Sequence, residues 1–101
     1  MTLAELLRAA AADLPGVSLA DAGAGTEVRA GDLVIAAIEA DGSAEFHLDP
    51  AVATAARRTP DTAASDRGPA WVRFAPAVLD DHAADRAVAW LGSAARRAGA
   101  G

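Results

Sequence analysis

Six consecutive apolar residues, Leu33-Val34-Ile35-Ala36-Ala37-Ile38, stand between two turn signals, Gly31-Asp32 and Asp41-Gly42. Side chains alternate between the two faces of a strand, so a run with no polar face belongs in the middle of a sheet. Asp-Gly is a strong signal for a tight hairpin between antiparallel strands. The segments on either side therefore pair with this run. The spacing predicts a three-stranded meander of Thr26–Ala30, Leu33–Glu39 and Ala44–Leu48. In the third strand Ala44, Phe46 and Leu48 point one way, while Glu45, His47 and Asp49 point the other.

A further strand is written into Gly68-Pro69-Ala70-Trp71-Val72-Arg73-Phe74-Ala75-Pro76. Val72 and Phe74 alternate with Trp71 and Arg73, which is the period of a strand with two unlike faces. Three helices surround these strands. The first opens on Thr2-Leu3-Ala4-Glu5, a capping box, and stops at Leu14-Pro15-Gly16. Asp49-Pro50 opens the second, which runs to about Arg58 with Arg57 and Arg58 in its last turn. The third starts at Asp80-Asp81, with Ala84, Ala87, Val88, Leu91, Ala94, Ala95 and Ala98 on its buried stripe. Trp90 falls at the edge of that stripe, where Arg86 and Arg97 are expected to stack on it, the other reading of the cluster being a partner-binding patch. Residues 17–25 read either as a short strand through Val17 and Leu19 or as a glycine-rich loop. Residues 60–69 read as a polar loop, and the tail Gly99-Ala100-Gly101 is expected to fray.

Together these elements predict an α+β domain in the order α-β-β-β-α-β-α, with four to five antiparallel strands and helices on one face. The 101 residues suffice for one hydrophobic core, hence one domain. Much of the 52% hydrophobic content is alanine, so the larger core side chains are few: Leu3, Leu6, Leu7, Leu14, Val28, Leu33, Val34, Ile35, Ile38, Phe46, Leu48, Val52, Val72, Phe74, Val88 and Leu91.

Charge and cysteine content narrow the function classes. The formal net charge is −5, which opposes binding to phosphate backbones and anionic membranes. All nine basic residues are arginine. With no cysteine, disulfides, thiol nucleophiles and cysteine-ligated metals are excluded. No run approaches membrane-spanning length, and the N-terminus lacks a basic-then-apolar signal, so a cytoplasmic location is the default expectation. Gly23-x-Gly25 is followed by a strand and not by Gly-Lys, so it is no phosphate loop.

The strongest candidate surface is the sheet face opposite the core, carrying Glu45, His47, Trp71 and Arg73. If the helices cover one side only, this face is open. It then suits a planar or anionic small molecule, a protein partner, or a second copy of the chain, unless a loop covers Trp71. His47, oriented by Asp49, is a candidate general base, although no nucleophile is placed for it. His82 with Asp81 and Asp85, or His47 with Asp49, lacks the spacing of a metal site, and no cofactor motif is present. Arg57, Arg58, Arg96 and Arg97, with Arg73, would form a basic patch if the fold gathered them.

The order of elements resembles the MmcQ/YjbR group of small bacterial domains. The likeness runs through Leu14-Pro15-Gly16, Leu48-Asp49-Pro50, Gly68-Pro69-Ala70-Trp71-Val72 and Ala94-Ala95-Arg96-Arg97. It implies an α/β fold of the bacterial frataxin type and DNA binding, whereas this chain has no lysine in its strands. A weaker resemblance to small bacterial luciferase-like domains runs through Gly25-Thr26-Glu27, Asp41-Gly42-Ser43 and Trp71-Val72-Arg73-Phe74. The His-x-His of that group is replaced here by Ala36-Ala37-Ile38, so no light-producing chemistry is expected. A non-enzymatic binding or accessory module is the leading expectation, ahead of a DNA-binding protein and a small enzyme using His47.

Overall fold

A computed structural model describes residues 1–99, so the expected fraying of the tail at positions 100 and 101 lies outside the described residues. The chain runs α1 (Leu3–Ala12), β1 (Val17–Ala22), β2 (Gly25–Ala30), β3 (Leu33–Ile38), β4 (Ala44–His47), α2 (Pro50–Ala56), β5 (Thr62–Ser65), β6 (Gly68–Phe74) and α3 (Asp81–Arg97). The strands form one antiparallel sheet in the order β1-β2-β3-β4-β6-β5. This is the α+β class expected, with six strands in place of four or five.

The two extra strands are the sheet edges. β1 resolves the ambiguity of residues 17–25 as a strand, joined to β2 through the two-residue turn Gly23-Ala24 with Gly23 at φ +65°. Positive φ at the first turn position is the II′ geometry, which suits the twist of a hairpin. β5 lies where a polar loop was expected. Its sequence, Thr-Ala-Ala-Ser, has no strong strand preference, and pairing with β6 decides its conformation.

α1 is held by its capping box. Thr2 Oγ1 accepts from the Glu5 N–H at 3.1 Å, and Glu5 Oε1 accepts from the Thr2 N–H at 2.8 Å. Asp49 behaves differently: it precedes α2 but makes no side-chain cap bond, and its carboxylate lies 3.5 Å from Arg97 Nε. α2 is also shorter than expected and ends at Ala56, so Arg57 and Arg58 lie beyond it.

Core residues from all three helices pack on one side of the sheet. Leu3, Leu7 and Ala11 of α1, Ala53 and Ala56 of α2, and the inner stripe of α3 meet Val28, Ile38, Phe46, Val72 and Phe74. Ile35 and Ala36 both join this core although they are sequence neighbours. A bulge allows it: Val28 pairs with Ala36 and Arg29 with Val34, so Ile35 is the extra residue.

The stripe of α3 departs from expectation. Its buried residues are Ala83, Ala87, Trp90, Leu91, Ala94 and Ala95, a clean helical repeat. Val88 lies one position off that line and is 42% exposed, whereas Trp90 is 9% exposed and fully part of the core. Leu33, also expected inside, is exposed at the hairpin end of β3. Trp90 meets Phe74 edge-on at 5.1 Å and Phe46 at 5.9 Å between ring centroids. The small alanines bring α3 close to the sheet, and the indole fills the remaining gap. Arg86 lies over Phe74 and Trp90 and donates to the Pro60 carbonyl at 2.8 Å, tying α3 to the segment before β5. Arg97 takes no part in this stack, contrary to expectation. Among the described residues, no helix is long and apolar enough to cross a membrane.

Candidate functional site

With every helix on one side, the other face of the sheet has no second layer. The registers align one row of side chains across that face: Ala20 opposite Glu27, Glu27 opposite Ala37, Ala37 opposite Glu45, Glu45 opposite Arg73 and Arg73 opposite Ala63. In the adjoining row His47 lies opposite Trp71. Glu45, His47, Trp71 and Arg73 are thus gathered on one surface by strand alternation alone.

The imidazole of His47 and the indole of Trp71 are stacked, 4.9 Å apart and within 5° of parallel. The Arg67 guanidinium lies over the same indole, 5.3 Å from its centroid. Trp71 is consequently half-buried by its own neighbours and is no bare stacking platform. Nη1 of Arg97 stands 3.5 Å from His47 Nδ1. Burial, followed by the charge of Arg97, lowers the pKa of His47 and favours the neutral ring. The neutral ring is the form that could accept a proton, but no serine or threonine hydroxyl is bonded to it among the described residues.

Glu45 is the most enclosed charged group of the face, at 8% exposure. The Ser65 hydroxyl donates to its Oε2, and Arg67 Nε stands 3.5 Å from Oε1. Arg67 also donates to Glu39 Oε1 at 3.2 Å. Burial raises the pKa of Glu45, and the hydrogen bond and charge of Glu39 add to the rise against the pull of Ser65 and Arg67. Glu39 moves the opposite way, first through its hydrogen bond with Glu45. The two carboxyls are thereby pushed apart, one toward the acid and one toward the anion.

Arg73 faces Glu45 across the ladder but pairs with Asp41 at 2.9 Å. Asp41 accepts from the hydroxyl and the N–H of Ser43, and these bonds hold its carboxyl down at about 2. A shallow open cleft of about 400 Å³ lies beside these groups, lined by Glu39, Asp41, Ser43, Glu45, Asp66 and Arg73.

The basic residues divide among several partners. Arg57 donates to the Pro69 carbonyl at 3.1 Å, and Arg97 is engaged by Asp49 and His47. Arg58 and Arg96 are exposed beside them in sequence. On the uncovered face Arg29 pairs with Glu27, Arg67 with Glu39 and Glu45, and Arg73 with Asp41. His82 is exposed on the first turn of α3, and among the described residues no three His, Cys, Asp or Glu side chains converge as metal ligands would.

Arg67, Ser65 and Glu39 complete this surface but were not singled out in the sequence. Glu39 was within reach, since it alternates with Ala37 on the strand. Arg67 and Ser65 sit in the β5–β6 hairpin, a contact no periodicity announces. No protein-family model matches the chain, and no curated protein or solved structure matches it.

Proposed function

We propose that this chain is a non-enzymatic binding module that takes a protein partner on the uncovered face of its sheet. The observation that carries the reading is the stack of His47 and Trp71 under Arg67, set among ion pairs on a surface with no covering layer. Tryptophan and arginine are the side chains most often found at the energetic centres of protein interfaces, and charged groups form their rims. Six strands spaced about 4.8 Å apart make the face roughly 24 Å across, on the scale of one side of a modest interface.

The charge mosaic supports a protein over the other partners considered. A phosphate backbone would meet Glu27, Glu39, Asp41 and Glu45 before it met an unpaired arginine. A planar small molecule would have to displace His47 or Arg67 from the Trp71 ring, and the adjacent cleft is shallow and polar. A protein surface can instead exchange its own charges with the arginine and carboxylate pairs already present.

The test is site-directed photo-crosslinking in the native host. A photoreactive residue at Ala63, exposed on the open face, is compared with one at Ala89, exposed on α3. The expected result is a discrete heterologous adduct from position 63 alone, lost when Trp71→Ala and Arg67→Ala are combined in a folded chain. No adduct at 63, or one that survives the double substitution, ends the proposal.

A further inference from the structure

The two edges of the sheet are built differently. β5 is four residues long, and its pairing with β6 breaks between Ala64 and Ser65, beside a proline, Pro69, that has no N–H to offer. β1 pairs with β2 over all six of its residues without a shift in register. It carries no proline or bulge, and of the devices that keep an exposed edge from pairing it has only one charge, Asp21. Ser18, Leu19, Asp21 and Ala22 are exposed along it.

The hairpin shows which backbone groups of β1 are free. Ala22 and Gly25 close a two-residue turn and so form a hydrogen-bonded pair. Such pairs recur at every second position, at Ala20 with Glu27 and at Ser18 with Arg29. The N–H and C=O groups of Leu19 and Asp21 therefore point away from β2. Those of Val17 do likewise, but its N–H is already bonded to the Leu14 carbonyl at 3.3 Å.

From this edge we infer that β1 pairs with β1 of a second copy of the chain, about a two-fold axis at Ala20, joining the two sheets into one. In this register Leu19 faces Asp21 of the second copy and Asp21 faces its Leu19. The free N–H and C=O groups then meet in a reciprocal pair on each side of the axis. No like charges stand directly opposite, because Asp21 meets leucine and Ser18 meets Ala22. At the axis Ala20 meets Ala20, small enough for the close approach of a non-hydrogen-bonded pair. Leu19, 39% exposed on the helix side of the sheet, gains cover from its counterpart diagonally across the axis. A register centred on Leu19 would instead call on the N–H of Val17, which Leu14 holds. The assembly sets two uncovered faces edge to edge, so a partner with two matching sites would bind with added avidity.

Light scattering coupled to size exclusion tests the inference, independently of any partner. Wild type is expected at twice the 10.1 kDa of one chain. Leu19→Pro removes an outward N–H that β2 does not use and returns the mass to that of one chain. Leu19→Lys gives the same result by placing like charges at the edge, and stands in if the proline variant fails to fold. The chain has no cysteine, so Ala20→Cys carries a single thiol at the axis. The separation of about 4.5 Å between Cα atoms of such a pair is within disulfide reach. Mild oxidation is expected to link Ala20→Cys at least about tenfold faster than Ser18→Cys, because the thiols are held at high effective concentration. A wild type that keeps the mass of one chain into the high micromolar range overturns the inference. So does a dimer that survives both Leu19 variants, or one lost on Trp71→Ala while Leu19→Lys leaves it intact.

Discussion

The two tryptophans provide a direct energetic test of whether one face of the sheet is uncovered. Trp90 is 9% exposed and sealed between α3, Phe46 and Phe74. An indole that buries about 200 Å² is worth about 5 kcal/mol at ~25 cal/mol per Å². Removing it also leaves a void that the alanine-rich stripe of α3 cannot close, so Trp90→Ala is expected near the top of the usual 3–5 kcal/mol range. Trp71 is only partly exposed, on a surface that water can reach. Its truncation removes roughly 70% of that area, about 3.5 kcal/mol, and solvent fills the space without a cavity penalty. The expected gap between the two variants is therefore about 1.5 kcal/mol. In a domain of about 100 residues this separates their melting points by roughly 6–12 °C. Urea titration followed by far-ultraviolet circular dichroism reads both without relying on indole fluorescence. Equal losses for Trp71→Ala and Trp90→Ala would mean that the Trp71 face is covered, and the binding proposal would fall with it.

Three further outcomes follow from local geometry. A Cβ on Gly25 would meet the Ile38 carbonyl oxygen at 2.6 Å, so Gly25→Ala should lose about 2 kcal/mol by urea titration, and a neutral result would refute the close packing of β2 on β3. The raised pKa of Glu45 means that the fold favours its protonated form, so this group's contribution is fully present below the unfolded value near 4.5 and is lost as pH rises through the folded one. Glu45→Gln should therefore gain stability over wild type between acid and neutral pH, and a variant less stable at pH 7 than at pH 4, relative to wild type, contradicts the shift. Asp41 behaves oppositely: its contribution is present above the unfolded value of 3.8 and is lost as pH falls through about 2. The difference in melting point between wild type and Asp41→Asn should close over that interval, and a constant difference would show that the Ser43 and Arg73 bonds do not depend on the charge.

Local chemistry alone determined the centre of the fold. The capping box at Thr2 and Glu5, the turns at Gly31 and Gly42, and the alternation through Phe46 and Phe74 each depend on a few neighbouring residues, and all were legible. The same alternation assigned Glu45, His47, Trp71 and Arg73 to a common face, because a strand with one core side leaves no other choice. Tertiary structure decided what periodicity does not encode. β1 and β5 are edge strands with little apolar patterning, and only the hydrogen bonds offered by β2 and β6 make them strands. Trp90 stood at the edge of a stripe drawn through Val88. The space between α3 and the two phenylalanines turned that stripe toward Ala83 and Trp90 and away from Val88, since a gap left by alanines is filled best by the largest side chain available. Arg67 reached Trp71, Glu39 and Glu45 because a hairpin without sequence signal folded its turn beside them. Short-range preferences set the individual strands and helices, whereas the edges of the sheet and the contacts on its open face are properties of strands distant in sequence meeting in space.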